Sequence, residues 1–221
     1  MMKKREFTGT LLYYIDILLP PIIRNSFLFS KVFKSGNFKS DIFSQDINII
    51  KEYYSYSIKR ESDLSNKALN LIIKTISEGS YKKICDLGGG NLFLKKQIDK
   101  NFNIDTDVLD FSYSDNQYGY PEVNLEKKLD FVTTNYYDFS ISTHTVEHLL
   151  NAKLFLDEMR RISKKGMLLV FPKEMPYLHT PNTHINFFPY KFEVEKLFGK
   201  INSKKTRLLD LKYDWVFIEL F

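Results

Sequence analysis

The chain has 221 residues, of which 43% are hydrophobic and 27% charged; that is apolar mass for one good-sized α/β domain with an extension, and too little for two full domains. A mean hydropathy of −0.28 and apolar runs no longer than Ile17-Leu18-Leu19-Pro20-Pro21-Ile22-Ile23 exclude a bilayer-spanning helix, while the single cysteine, Cys85, excludes an intrachain disulfide and a cysteine-only metal site and fits a reducing, cytoplasmic setting. The net charge of +5 sits wholly in the first 40 residues, where Lys3, Lys4, Arg5, Arg24, Lys31, Lys34 and Lys39 face only Glu6 and Asp16, so an anionic partner would meet this arm before the neutral remainder.

The start, Met1-Met2-Lys3-Lys4-Arg5, has the basic head of a signal peptide. Glu6 and Asp16 interrupt the apolar stretch behind it and no small-residue cleavage site appears, so export is not expected. From Phe7 to Phe38 aromatics, aliphatics and lysines mix with no clean period, broken at Pro20-Pro21 and Gly36, which predicts short helices. Ser44 to Arg60 carries helical spacing, with Ile47, Ile50 and Tyr54 on one side. Residues 1–61 therefore read as a basic, aromatic helical extension and 62–221 as the core domain.

Within the core, Leu64, Ala68, Leu71, Ile72 and Ile76 recur at helical intervals, with an N-cap available from Ser62 or Asp63 and a stop at Glu78-Gly79. Lys83 to Leu87 reads as a short buried strand, Gly88-Gly89-Gly90 as a turn, and Leu92 to Ile98 as a helix. A second strand, Thr106 to Leu109, ends on Asp110. Tyr137 to Ser142 reads as a strand entering a helix from about Val146 to Ser163; Gly166 ends that helix, and Met167 to Phe171 makes another strand. Phe192 to Phe198 comes next as a helix, and Thr206 to Leu211 with Trp215 to Phe221 suit an antiparallel hairpin at one sheet edge. Strands alternating with helices at this spacing predict an α/β, Rossmann-like, mostly parallel sheet with helices on both faces.

Ligands of such sheets bind beyond the carboxyl ends of the strands, and a glycine turn after the first strand lets backbone N–H groups approach them. Gly88, Gly89 and Gly90 stand there. Asp110, twenty residues after Gly90 at the end of the next strand, can accept both hydroxyls of an adenosine ribose. A nicotinamide enzyme would want a third glycine where Phe93 stands, which disfavours G-x-G-x-x-G.

Two further blocks, Tyr137-Asp138-Phe139-Ser140-Ile141-Ser142-Thr143-His144-Thr145-Val146-Glu147-His148-Leu149 and Leu156-Asp157-Glu158-Met159-Arg160-Arg161-Ile162-Ser163-Lys164-Lys165-Gly166, narrow the choice. With the glycine turn and Asp110, they make the chain resemble the class I S-adenosylmethionine-dependent methyltransferases, in particular their broad small-molecule, type 11-like branch, from about Tyr81 to Phe198. The resemblance implies S-adenosylmethionine as cofactor, with Asp86, Gly88, Gly89 and Gly90 at its methionine end, Asp110 on the ribose, Phe111 against the adenine face, Asn124 and Leu125 at the adenine edge, and Thr143 and His144 facing the methyl group and acceptor. One position departs from the family: Leu92 replaces its third glycine.

All four histidines, His144, His148, His179 and His184, lie after the fourth and fifth strands of the resembling fold, where its acceptor pocket forms. His144 and His184 are candidate general bases, because an imidazole titrates near neutral pH. Glu147-His148 reads instead as a helix-packing pair. His144 and His148 have i, i+4 spacing, but H-E-x-x-H is absent and spacing indicates no third ligand, so no metal is expected. The expected activity is methyl transfer to an O or N atom of a small molecule, such as a sugar or lipid-linked intermediate. The alternative is a catalytically silent methyltransferase-fold protein that binds a partner through its N-terminal arm. That arm reads as a lid over the acceptor site or, for residues 1–40, as a peripheral membrane contact; nucleic acid is disfavoured for want of a recognisable binding module.

Overall fold

The computed structural model describes residues 62–111, 121–176, 184–201 and 205–221, with short stretches and single positions between 11 and 31. The expectations for 1–61 therefore fall largely outside the described residues, as does His179; within the arm, one short helix, α1 (Pro21–Arg24), is described.

The core is built on six strands: β1 (Lys83–Leu87), β2 (Asp105–Leu109), β3 (Phe139–Thr143), β4 (Gly166–Pro172), β5 (Thr206–Asp210) and β6 (Asp214–Leu220). They lie in the order β2-β1-β3-β4-β6-β5. The first four are parallel, and β6 returns antiparallel between β4 and the edge strand β5. The inner strands β1, β3 and β4 are buried on both faces, as a sheet covered by helices on two sides requires, with Ser140, Ser142 and Asp86 as the polar exceptions among their buried side chains. Cys85, Leu87, Met167, Leu169, Phe171 and Phe217 point to one face and meet Phe155, Leu156, Met159 and Ile162 of α4 (Ala152–Ile162) and Val194 and Phe198 of α5 (Lys191–Phe198). Ile84, Phe139, Ile141, Leu168, Val170 and Val216 point to the other and meet Ala68, Ile72 and Ile76 of α2 (Asn66–Glu78) and Leu94 and Ile98 of α3 (Phe93–Asn101). Among the described residues no helix is long and apolar enough to cross a membrane.

Three local expectations are corrected. The cap of α2 is Ser65, whose side chain accepts the Ala68 N–H, rather than Ser62 or Asp63. The single helix expected over 146–163 is two elements, a 3₁₀ turn at Val146–His148 and then α4. Between them the Leu150 and Asn151 N–H groups each donate to the Glu126 carboxylate at 2.7 Å, and Asn186 Nδ2 donates to the Val146 and Leu149 carbonyls. Those side chains satisfy backbone groups that would otherwise favour continuing the helix. Gly166 does not end α4, which stops at Ile162; it opens β4 at φ 147°, packed against the Glu219 backbone.

Candidate cofactor and acceptor site

A cavity of about 690 Å³ opens beyond the carboxyl ends of β1, β2 and β3, the place where sheets of this kind bind ligands. Its wall includes nearly every residue singled out from the sequence: Asp86, Gly88, Gly89, Gly90, Asp110, Phe111, Asn124, Leu125, Thr143 and His144. Asn91, Thr145 and His148 also line it, as do Ser62, Asp63 and Leu64 where the core begins.

The turn after β1 is held by two hydrogen bonds to the end of β2. The Gly88 N–H donates to the Leu109 carbonyl at 2.8 Å, and the Gly90 N–H donates to Asp110 Oδ2 at 2.7 Å, tying the turn to the end of β2. Gly88 sits at φ 88°, and a Cβ there would collide with Thr145 Oγ1; one at Gly89 would collide with the Asp86 carboxylate. Side chains are thus excluded by the close approach of the site's own polar groups as well as by backbone conformation. The third glycine position is Leu92, at φ 56° and ψ 16°, the left-handed geometry that a glycine would adopt without strain. Its side chain is wholly buried and is not among the residues lining the cavity.

Asp86 is the most unusual group in the cavity. It is fully buried, and neither carboxylate oxygen has a hydrogen-bond partner. Burial, and then the charge of Asp110, push its carboxyl up to about 7. An isolated buried carboxylate is costly, and a cation or N–H donor brought into the cavity would relieve it. Asp110 is engaged differently: besides the Gly90 N–H, it accepts the Phe111 N–H through Oδ1 at 2.6 Å. A carboxylate oxygen carries two lone pairs, so one that accepts an N–H can accept a hydroxyl as well.

At the far wall, His144 is held in the left-handed region at φ 54°, its own N–H donating to the Val170 carbonyl. Its Nδ1 lies 3.3 Å from Glu147 Oε1 and its Nε2 3.8 Å from Asp214 Oδ1. Glu147 is fully buried with neither oxygen hydrogen-bonded. Burial pushes its carboxyl up, but His144, and then the charges of His148 and His184, outweigh that and hold it at about 2. His184 does not line the cavity; it stands behind His148, ring centroids 4.8 Å apart, with Nδ1 against Glu174. The base role expected for His184 therefore lacks direct access to the cavity, whereas His144 has it. Asn91 adjoins the glycine turn and Thr145 lies inside the Tyr137 to Leu149 block, yet the sequence assigns neither a role; Glu147-His148 resembles a packing pair in sequence, and the Glu174–His184 pair has no sequence signal.

No family model and no curated protein matches the sequence. Among solved structures, a candidate O-methyltransferase from Nostoc punctiforme PCC 73102 aligns over 94% of this chain and 72% of its own, with a TM-score of 0.51 and 12% identity. An S-adenosylmethionine-dependent methyltransferase from Aquifex aeolicus aligns over 66% of this chain and 87% of its own, at TM-score 0.48 and 19% identity. A candidate sarcosine dimethylglycine methyltransferase from Galdieria sulphuraria aligns over 48% of this chain and 47% of its own, at TM-score 0.42 and 17% identity. The chain thus has the Rossmann-like fold of the class I methyltransferases, with the strand directions expected from its sequence.

Proposed function

We propose that this protein is a methyltransferase that takes S-adenosylmethionine and acts on an O or N atom of a small molecule. The observation that carries the reading is Asp86: a buried carboxylate with neither oxygen hydrogen-bonded, beside a glycine turn, in a cavity that Asp110 also lines. That combination fits a ligand with a cationic amino acid at one end and a ribose at the other. When bound, S-adenosylmethionine supplies a methyl group on a sulfonium, activated for in-line displacement.

The chain's own residues divide the work. Asp86, with Gly88, Gly89 and Gly90, receives the cationic end, and Asp110 accepts the ribose hydroxyls through its carboxylate. Phe111, Asn124 and Leu125 flank the adenine. Thr143 and His144 orient the acceptor, and positioning of this kind supplies a large part of the rate. His144 takes the acceptor's proton, and Glu147 beside it stabilises the imidazolium that results. Leu92 faces away from the cavity, so it supplies no argument for a silent binding protein. Residues 1–61 lead into Ser62, Asp63 and Leu64 of the cavity wall, which supports an extension acting as a lid; the buried thiol of Cys85 suits the cytoplasm.

Calorimetry with S-adenosylhomocysteine tests the reading. One-to-one binding is expected, weakened in Asp110→Ala by about 1–3 kcal/mol, the cost of leaving the ribose hydroxyls without their acceptor. No binding by the wild-type chain would end the proposal, and unchanged affinity in the variant would move the ribose elsewhere.

A further inference from the structure

We propose that Glu147, His148 and His184 form a site for one divalent transition-metal ion at the acceptor end of the cavity, where the ion would hold a hydroxyl oxygen of the acceptor. The site itself stands on its own geometry; the role given to the ion rests on the methyltransferase reading.

One ligand atom from each of the three residues lies within 4.8 Å of the others. Ligands on a common zinc-sized ion stand about 2.0–2.2 Å from it, so modest side-chain rotation closes the set. Three observations indicate an ion. Glu147 is fully buried; Oε1 has His144 Nδ1 3.3 Å away, while Oε2 has no hydrogen bond and can serve a cation as a ligand. His184 Nδ1 is held by the Glu174 carboxylate, itself 7% exposed. That carboxylate–histidine pairing is the one that orients metal-bound imidazoles, with Nε2 as the ligating atom. The two backbone segments are also locked together: the Ile185 and Asn186 N–H groups both donate to the Glu147 carbonyl at 2.9 Å. The site is therefore assembled by backbone and by a second carboxylate before any ion arrives.

Two imidazoles and one carboxylate favour zinc or its transition-metal neighbours over magnesium or calcium, which prefer oxygen ligands throughout. Three protein ligands leave a coordination position open, and His148 lines the cavity from which it would be reached. A hydroxyl bound there loses its proton more readily. In transfer to such an acceptor the O–H proton passes to His144, the new C–O bond forms as the C–S bond breaks, and sulfur keeps the electron pair. A coordinated hydroxyl oxygen would keep a lone pair for the methyl carbon, whereas an amine would give its single lone pair to the ion, so the site favours an alcohol or diol as acceptor.

The test uses the full chain, stripped with chelator and titrated with cobalt(II), zinc(II) and magnesium(II). About one equivalent of zinc is expected to bind, cobalt to develop visible d–d absorption, and magnesium to bind at least tenfold more weakly. His148→Ala and His184→Ala should each lower zinc affinity roughly 100-fold, and Glu174→Gln about 10- to 100-fold, with thermal melting of the metal-free variants showing that they fold. Absence of zinc and cobalt binding by the wild-type chain, binding that survives both histidine substitutions, or a preference for magnesium would each overturn the assignment. S-adenosylhomocysteine calorimetry on the same stripped protein separates the two proposals: cofactor binding without metal binding defeats only this one, and metal binding without cofactor binding leaves the site but removes the methyltransferase role.

Discussion

Leu92 sets two effects of known sign against each other. Its side chain is wholly buried, and its backbone is held at φ 56° at the start of α3. Truncating a fully buried leucine to alanine costs about 2.7–5 kcal/mol, while a residue with a Cβ in the left-handed region is strained by about 1–2 kcal/mol. Leu92→Ala loses the burial and keeps the strain. Leu92→Gly loses the burial and releases the strain, less the few tenths to about 1 kcal/mol that a flexible glycine adds to the unfolded chain. The expected order of stability is therefore wild type, then glycine, then alanine, with the two variants separated by up to about 1.5 kcal/mol. Urea unfolding followed by far-UV circular dichroism, with slopes checked for equality, measures all three. An alanine variant more stable than the glycine variant would refute the strain assignment. A glycine variant more stable than wild type would mean that burial of this leucine contributes less than its strain costs.

Asp86 makes stability depend on pH. Its carboxyl is raised from 3.8 to about 7 in the folded chain, so the unfolded chain releases this proton first, and stability should fall as pH climbs through that window and level off above it. Asp86→Asn should remove that part of the slope in cofactor-free protein; identical pH profiles for wild type and variant would show that Asp86 is not the group responsible. Arg161 clamps the loop between the cavity wall and β3, donating to the Val132 and Leu129 carbonyls at 2.7 and 2.9 Å and pairing bidentately with Glu158, whose Oε2 also accepts the Leu129 N–H. Arg161→Ala should cost about 2–3 kcal/mol in the same unfolding assay, and a loss below 0.5 kcal/mol, about that of an ordinary surface substitution, would make the clamp ornamental.

The parts of the fold that can be read from the sequence are those whose cause is local. The buried strands announce themselves as Ile84-Cys85-Asp86-Leu87 and Met167 to Phe171, and the turn between β1 and α3 as consecutive glycines. Asp110 is legible because it stands twenty residues after Gly90, at the end of the next strand, where an acid can accept the hydroxyls of an adenosine ribose. The break after His148 is not legible: the helical spacing runs on from Val146, and the group that stops it is Glu126, some 25 residues earlier in the chain, together with Asn186 from beyond β4. Ser65 does not stand out as the α2 cap because Ser62 and Asp63 are chemically equivalent candidates, and only the entry direction of the chain chooses among them. His184 and Glu174 become a pair only when the stretch after β4 folds back on the 3₁₀ turn, so neither residue type nor spacing reveals them.

The lone thiol has an experimental use that comes from its place in β1. Cys85 is wholly buried, and burial together with the charge of Asp86 pushes it well above the usual thiol range, so in the folded chain it offers a disulfide reagent neither access nor thiolate. β1 is hydrogen-bonded to β2 on one side and β3 on the other, so exposing that sulfur requires the sheet to come apart at its centre. The rate of labelling is then a clock for that opening, read on unmodified protein without an engineered probe. Because a bound ligand that holds the turn after β1 keeps the strand closed, slower labelling can also serve as a screen for compounds that occupy the cavity.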